Sequence, residues 1–171
     1  MRRLLLKSFF GRRLTEPAPP DVAIAELAQA VSATAQKRLG RSLVIREVDA
    51  GSCNGCELEI QALNNAVYDI ERFGLRFAAS PRHADVLLVT GPVTKNMEEA
   101  LRRTWEATPY PKWVIAAGDC AAGCGVFKDS YACVGSVDSV IPVDLHIRGC
   151  PPTPTDLLKG LLAVLQRSTE G

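Results

Sequence analysis

The chain has no apolar run of about 18 residues, so none of its 171 residues reads as a membrane-spanning helix. An excess of one charge is missing too. The formal net charge is +1, which gives no global field for drawing in nucleic acid. Neither G-x-G-x-x-G nor G-x-x-x-x-G-K-[ST] occurs, so the glycine-rich loops carry no phosphate-binding fingerprint. Histidine is scarce, and His83 and His146 read as surface or loop residues rather than ligands. A cleavable leader is not expected either. Met1-Arg-Arg-Leu-Leu-Leu-Lys7 looks briefly like a twin-arginine signal, but Arg12, Arg13, Glu16 and three prolines follow where an apolar stretch should be. The expectation is a protein facing a reducing cytosol, where six cysteines read as metal ligands or free thiols rather than a disulfide frame.

What is present divides the chain in two. Residues 1–20 form a basic arm, with Arg2, Arg3, Lys7, Arg12 and Arg13 among Leu4, Leu5, Leu6, Phe9 and Phe10, closed by a Pro-rich linker (Pro17-Ala-Pro-Pro20). Two readings of the arm stand side by side: a solvated terminus, or a short amphipathic segment on an anionic membrane or in a partner's groove. Residues 21–171 read as one α/β domain, with 47% hydrophobic and 23% charged residues over the whole chain.

Within that domain, helical and extended patterns alternate. Asp21 can cap a helix over Val22–Leu39 that stops at Gly40. Ser42–Val48 is short and β-branched and ends at a Gly-rich loop, as a strand should. Leu58, Ile60, Leu63, Val67 and Ile70 recur at helical spacing, which predicts a helix from about Glu57 that ends at Gly74. Asp85–Val89 and Trp113–Ala117 are continuous apolar runs of strand length, with an amphipathic helix between them over Met97–Thr108. Val140–Ile147 contains a last strand. Thr153-Pro154 then fits an N-cap with proline at the first helical position, opening a helix over Thr155–Leu165. Such alternation predicts a mostly parallel sheet with helices on both faces, whose ligand site lies outside the carboxyl ends of the strands.

Cys53, Cys56, Cys120 and Cys150 all fall on loops at those ends. Four soft thiolates select zinc or an iron–sulfur cluster over hard cations. The Cys53-Asn-Gly-Cys56 pair could also be a redox dithiol, but that would leave Cys120 and Cys150 without a task. Structural zinc generally uses two knuckles of close-set ligands, whereas 30 residues separate Cys120 from Cys150. A cubane needs ligands converging from several directions, and the loop geometry favours it. Cys124 and Cys133 read as free thiols, Cys124 being the substitute should Cys120 not serve. Asp129 and Tyr131 are candidates for a partner surface.

Gly51-Ser-Cys-Asn-Gly-Cys-Glu57, Gly91-Pro92-Val93, Gly118-Asp-Cys-Ala121 and Gly149-Cys-Pro-Pro152 follow one another in that order. Over residues 42–165 this resembles the electron-transfer small subunit shared by nickel–iron hydrogenases and respiratory complex I. Complex I subunits of the type have adjacent cysteines at the first position. The two-residue spacing here is similar to that of membrane-bound, energy-converting hydrogenases of the formate-hydrogenlyase type. The chain ends 21 residues after Cys150, so the expectation is one cluster only.

The resemblance implies a flavodoxin-like sheet. It also implies one 4Fe–4S cluster on Cys53, Cys56, Cys120 and Cys150. Electrons would pass between a hydrogenase large subunit holding the nickel site and a ferredoxin-like subunit carrying further clusters. The chain would do no bond chemistry itself and would sit on the inner face of the cell membrane through membrane subunits of the complex. Glu57, Asp119 and Arg148 are the candidates for tuning the cluster or coupling it to protons. Arg148 stands where the family often has proline, and its cation should raise the potential. The alternatives are a complex I (NADH–quinone oxidoreductase) protein of the same type, passing electrons to quinone, and a zinc-stabilised interaction module.

Overall fold

The computed structural model describes residues 21–167. The basic arm predicted over residues 1–20 lies outside them. Five parallel strands make the main sheet, in the order β2-β1-β3-β5-β7. They are β1 (Val44–Asp49), β2 (Arg76–Phe77), β3 (Val86–Thr90), β5 (Trp113–Ala117) and β7 (Leu145–Ile147). A separate antiparallel pair joins β4 (Val93–Thr94) to β6 (Cys133–Gly135). Helices α1 (Asp21–Leu39), α2 (Gly55–Ala62), α3 (Glu98–Ala107), α4 (Asp119–Gly123) and α5 (Pro154–Arg167) complete the α/β domain, whose strand order is flavodoxin-like.

Every residue of β3 and β5 is buried, because helices cover both faces there. One face carries Ile45, Val86, Leu88 and Ile115. It packs on Val31 of α1, Ile60 of α2, and Leu157, Leu158 and Leu161 of α5. The other carries Leu87, Val89, Val114 and Ala116 and meets Leu101 of α3 and Ala121 of α4. Leu157, Leu158, Leu161 and Leu165 of α5 thus form one wall of the core. Thr153 caps α5 as its position suggests: its hydroxyl accepts from the Asp156 amide at 3.2 Å and donates to the Asp156 carboxylate at 2.6 Å.

The stripe after Glu57 breaks where one long helix is expected. α2 ends at Ala62, and Ile70–Phe73 form a separate 3₁₀ turn. Asn65 is the cause: its side-chain oxygen accepts from the amides of Val67 and Tyr68 at 2.8 and 3.0 Å, offering the backbone a turn instead of a helix. Ile60, Leu63 and Ile70 are buried as the stripe predicts, while Leu58 and Val67 face solvent. Among the described residues, no helix is long and apolar enough to cross a membrane.

The amino ends of the strands are tied by carboxylates. Asp85 precedes β3 and is 2% exposed. It takes a two-pronged ion pair from Arg41 at 2.9 and 2.5 Å, and it accepts the Val44 amide at the head of β1 at 2.9 Å. Asp144 does the same for the far edge, accepting the Val114 amide at 2.7 Å just before β7. Asp85→Ala should cost about 2 kcal/mol, chiefly from the orphaned Val44 amide, since Arg41 keeps contact with water. A lower urea midpoint with an unchanged slope is the expected readout.

Candidate metal centre

The first cysteine loop is shaped by its own side chains. Asp49, the last residue of β1, accepts the amides of Gly51 and Ser52 at 2.8 and 2.7 Å. Ser52 in turn accepts the amide of Asn54 at 3.0 Å. Asn54 adopts a left-handed φ of 69°, a conformation its short amide tolerates. Cys53 and Cys56 therefore flank a tight bend, one before α2 and one in its first turn.

The other two loops are stitched to each other. The Gly118 amide donates to the Ile147 carbonyl at 2.8 Å, and the Asp119 amide donates to the Gly149 carbonyl at 2.9 Å. Asp119 also accepts the Gly149 amide on its carboxylate at 3.2 Å, and Arg148 approaches the same oxygen to 3.8 Å. The predicted site residue Asp119 is thus a latch between the Cys120 and Cys150 loops. Arg148 lies on its solvent side, with a side chain 70% exposed. Sequence alone could place Asp119 beside a cysteine, but not opposite Gly149, which is 30 residues away.

All four predicted cysteines line one cavity of about 120 Å³, together with Gly149 and Pro151. Wider grooves exist, such as one of about 440 Å³ lined by Arg41, Glu71 and Arg76, but that one gathers no thiols. Cys56 and Cys120 form the inner wall, whereas Cys53 and Cys150 are exposed at the rim. Cys124 is buried and Cys133 half-buried, and neither lines the cavity. His83 and His146 are exposed and elsewhere.

The inner wall is held in place by the absence of a side chain. Gly118 has φ +93°, and a Cβ there would stand 2.7 Å from the Cys56 sulfur. Burial pushes the Cys56 thiol up to about 12, with Glu57 and the other three thiols adding to the rise. Burial also raises Cys120, followed by the neighbouring Cys150, while the Val126 amide pulls it back down. Buried thiols of this kind hold their protons until a metal centre takes the sulfurs.

Glu57 lies behind this wall, 6% exposed, and neither carboxylate oxygen has a hydrogen-bond partner among the described residues. Glu47 is raised by burial first, then by Glu57 and Asp49. The donor set is all soft sulfur, and the cavity has volume of its own between the thiols. That fits a sulfur-ligated cluster. Gly118→Ala should sharply reduce iron incorporation, because its methyl displaces the Cys56 sulfur in a backbone region L-residues avoid. Iron content per chain checks this, with far-ultraviolet circular dichroism verifying that the sheet persists.

The chain is similar to several known proteins. The family described as NADH ubiquinone oxidoreductase, 20 Kd subunit, matches residues 53–164. Formate hydrogenlyase subunit 7 of Escherichia coli is 40% identical over 160 residues, covering 94% of this chain. The chain spans 63% of that relative's length. The probable membrane-bound hydrogenase subunit mbhJ of Pyrococcus furiosus is 47% identical over 131 residues, covering 77% of this chain and 78% of its own. One subunit of the F(420)H(2) dehydrogenase of Methanosarcina mazei is 46% identical over 112 residues, covering 66% and 61%. Among solved structures, a chain of the membrane-bound sulfane sulfur reductase, an archaeal respiratory membrane complex, superposes with a TM-score of 0.68 at 33% identity. That match covers 84% of this chain and 77% of the other. With the family match running from Cys53 to Val164 and so including all four cavity cysteines, the chain belongs to the family of the 20 kDa subunit of NADH ubiquinone oxidoreductase.

Proposed function

We propose that the chain is an electron-relay subunit that holds one 4Fe–4S cluster on Cys53, Cys56, Cys120 and Cys150. The observation that carries this is the shared cavity: four thiols from three strand ends line one space. A single zinc ion would need its sulfurs within about 2.3 Å of one point. A cluster with its own bulk suits walls that stand apart.

When bound, the cluster supplies one-electron exchange, and the chain's residues set the conditions for it. Cys56 and Cys120 hold the inner side away from water, and Cys53 and Cys150 turn the other side outward. Asp119 keeps the Cys120 and Cys150 loops in fixed relation. Arg148 adds a cation that favours the more negative, reduced state. Glu57, buried with neither carboxylate oxygen partnered among the described residues, is the side chain assigned to couple cluster reduction to proton movement.

The partners proposed are a nickel–iron hydrogenase large subunit on one side and a ferredoxin-like iron–sulfur subunit on the other. Membrane subunits would hold the assembly at the inner face of the cell membrane. The hydrogenase relatives, at 40% and 47% identity, support this reading. A second reading, a complex I-type subunit delivering electrons to quinone, is favoured by the family match and by the dehydrogenase relative. The neighbouring large-subunit gene separates the two: a pair of Cys-x-x-Cys motifs means hydrogenase.

The anaerobically purified complex should contain about four irons and four acid-labile sulfides per copy of this chain, beyond those of its partners, and should show a cluster EPR signal on reduction. Alanine at Cys53, Cys56, Cys120 or Cys150 should abolish that signal, whereas Cys124→Ala and Cys133→Ala should retain it. Protein that contains zinc without iron or sulfide would return the site to a structural role. Signal lost in Cys124→Ala but kept in Cys120→Ala would reassign the fourth ligand.

A further inference from the structure

The helix that holds Cys120, α4, ends three residues later at Gly123. Cys124 then swings into the left-handed region at φ 65° while its amide donates to the Cys120 carbonyl at 2.7 Å. Gly125 is left-handed as well, at φ +46°. These two residues fold the backbone back over the residue they have just left. A Cβ on Gly125 would stand 2.7 Å from the Cys120 sulfur and 3.4 Å from the Cys120 backbone nitrogen. The Val126 amide then lies against the Cys120 sulfur. Its side chain points the other way, and the residue is 84% exposed. The Phe127 amide closes the turn on the Cys124 carbonyl at 2.8 Å.

We propose that the Cys124-Gly125-Val126 turn is a potential-setting clasp on Cys120, with the Val126 main-chain N–H as its working group and Gly125 as the residue that lets it close. The inference rests on the cluster reading above. An N–H aimed at a ligand sulfur stabilises the state with more negative charge on that sulfur, so it favours the reduced cluster and raises the midpoint potential. It also gives Cys124 a task other than ligation. That residue is buried in the protein beside the cavity and supplies the left-handed step from which the clasp starts.

The experiment uses the whole complex, purified anaerobically, in two arms. In an EPR-monitored redox titration, Val126→Pro deletes the N–H without removing a buried side chain, and its midpoint should lie below wild type. Val126→Leu, which keeps the amide, should titrate with wild type. In the second arm, protein labelled with ¹⁵N-valine is reduced and examined by pulsed EPR. Wild type should show a peptide-nitrogen coupling that Val126→Leu, unlabelled at that one position, lacks. This arm decides the matter even if Val126→Pro fails to load its cluster. Identical nitrogen couplings in the two labelled proteins, or an unshifted midpoint in a loaded Val126→Pro, overturns the clasp. Wild-type protein without iron, sulfide or a cluster signal overturns the cluster reading instead, and the clasp falls with it.

Discussion

Everything at the cysteine cavity depends on the register of β1, β3, β5 and β7. The thiols come from loops after β1, β5 and β7, and β3 lies between the first two. Along each ladder the pairing runs without interruption, from Ile45 with Val86 to Asp49 with Thr90, and from Val86 with Trp113 to Thr90 with Ala117. A slip of one residue would carry a cysteine about 3.3 Å along the sheet and turn its strand's core residues to the opposite face. No single loop can correct such an error. The apolar burial of β3 and β5 is therefore what holds the site together, although neither strand contributes a thiol from within its own length.

The two ends of the sheet divide the labour. At the amino end, Asp85 and Asp144 satisfy strand-head amides with paired or well-placed carboxylates. At the carboxyl end, Asn54 and Cys124 sit in the left-handed region, Glu57 is buried with neither oxygen satisfied among the described residues, and two thiols face outward. Strain and unmet polar groups persist only where the surrounding structure over-determines them. Here the fully buried centre of the sheet provides that support.

Much of this was legible in the residues. β3 and β5 could be read because burial on both faces leaves an unbroken apolar run, and the cysteines could be grouped because all followed strand-like runs. The failures have two origins, partners remote along the chain and one local side chain. β2 and the pair of β4 with β6 are two- and three-residue strands, defined by remote partners rather than by any pattern of their own. The helix predicted up to Gly74 was cut by the Asn65 side chain, a local rival to helical hydrogen bonding that an apolar stripe does not register. The Asp119 latch joins residues 30 apart, and only the folded sheet brings them together.

The uneven burial of the four thiols has a chemical consequence of its own. Dissolved oxidants meet Cys53 and Cys150 first, and an accessible thiol is where conversion to sulfenic acid begins. Cys56 and Cys120 sit deeper, with thiols that burial keeps protonated and therefore slow to react. Air damage to the empty chain would thus start at the rim and spoil two sulfurs while the inner pair stayed intact. Iron and sulfide added afterwards would find half a site until a thiol reductant restored the sulfenic acids. Anything that covered that rim early, a metal centre or a neighbouring protein, would protect the chain as much as complete it.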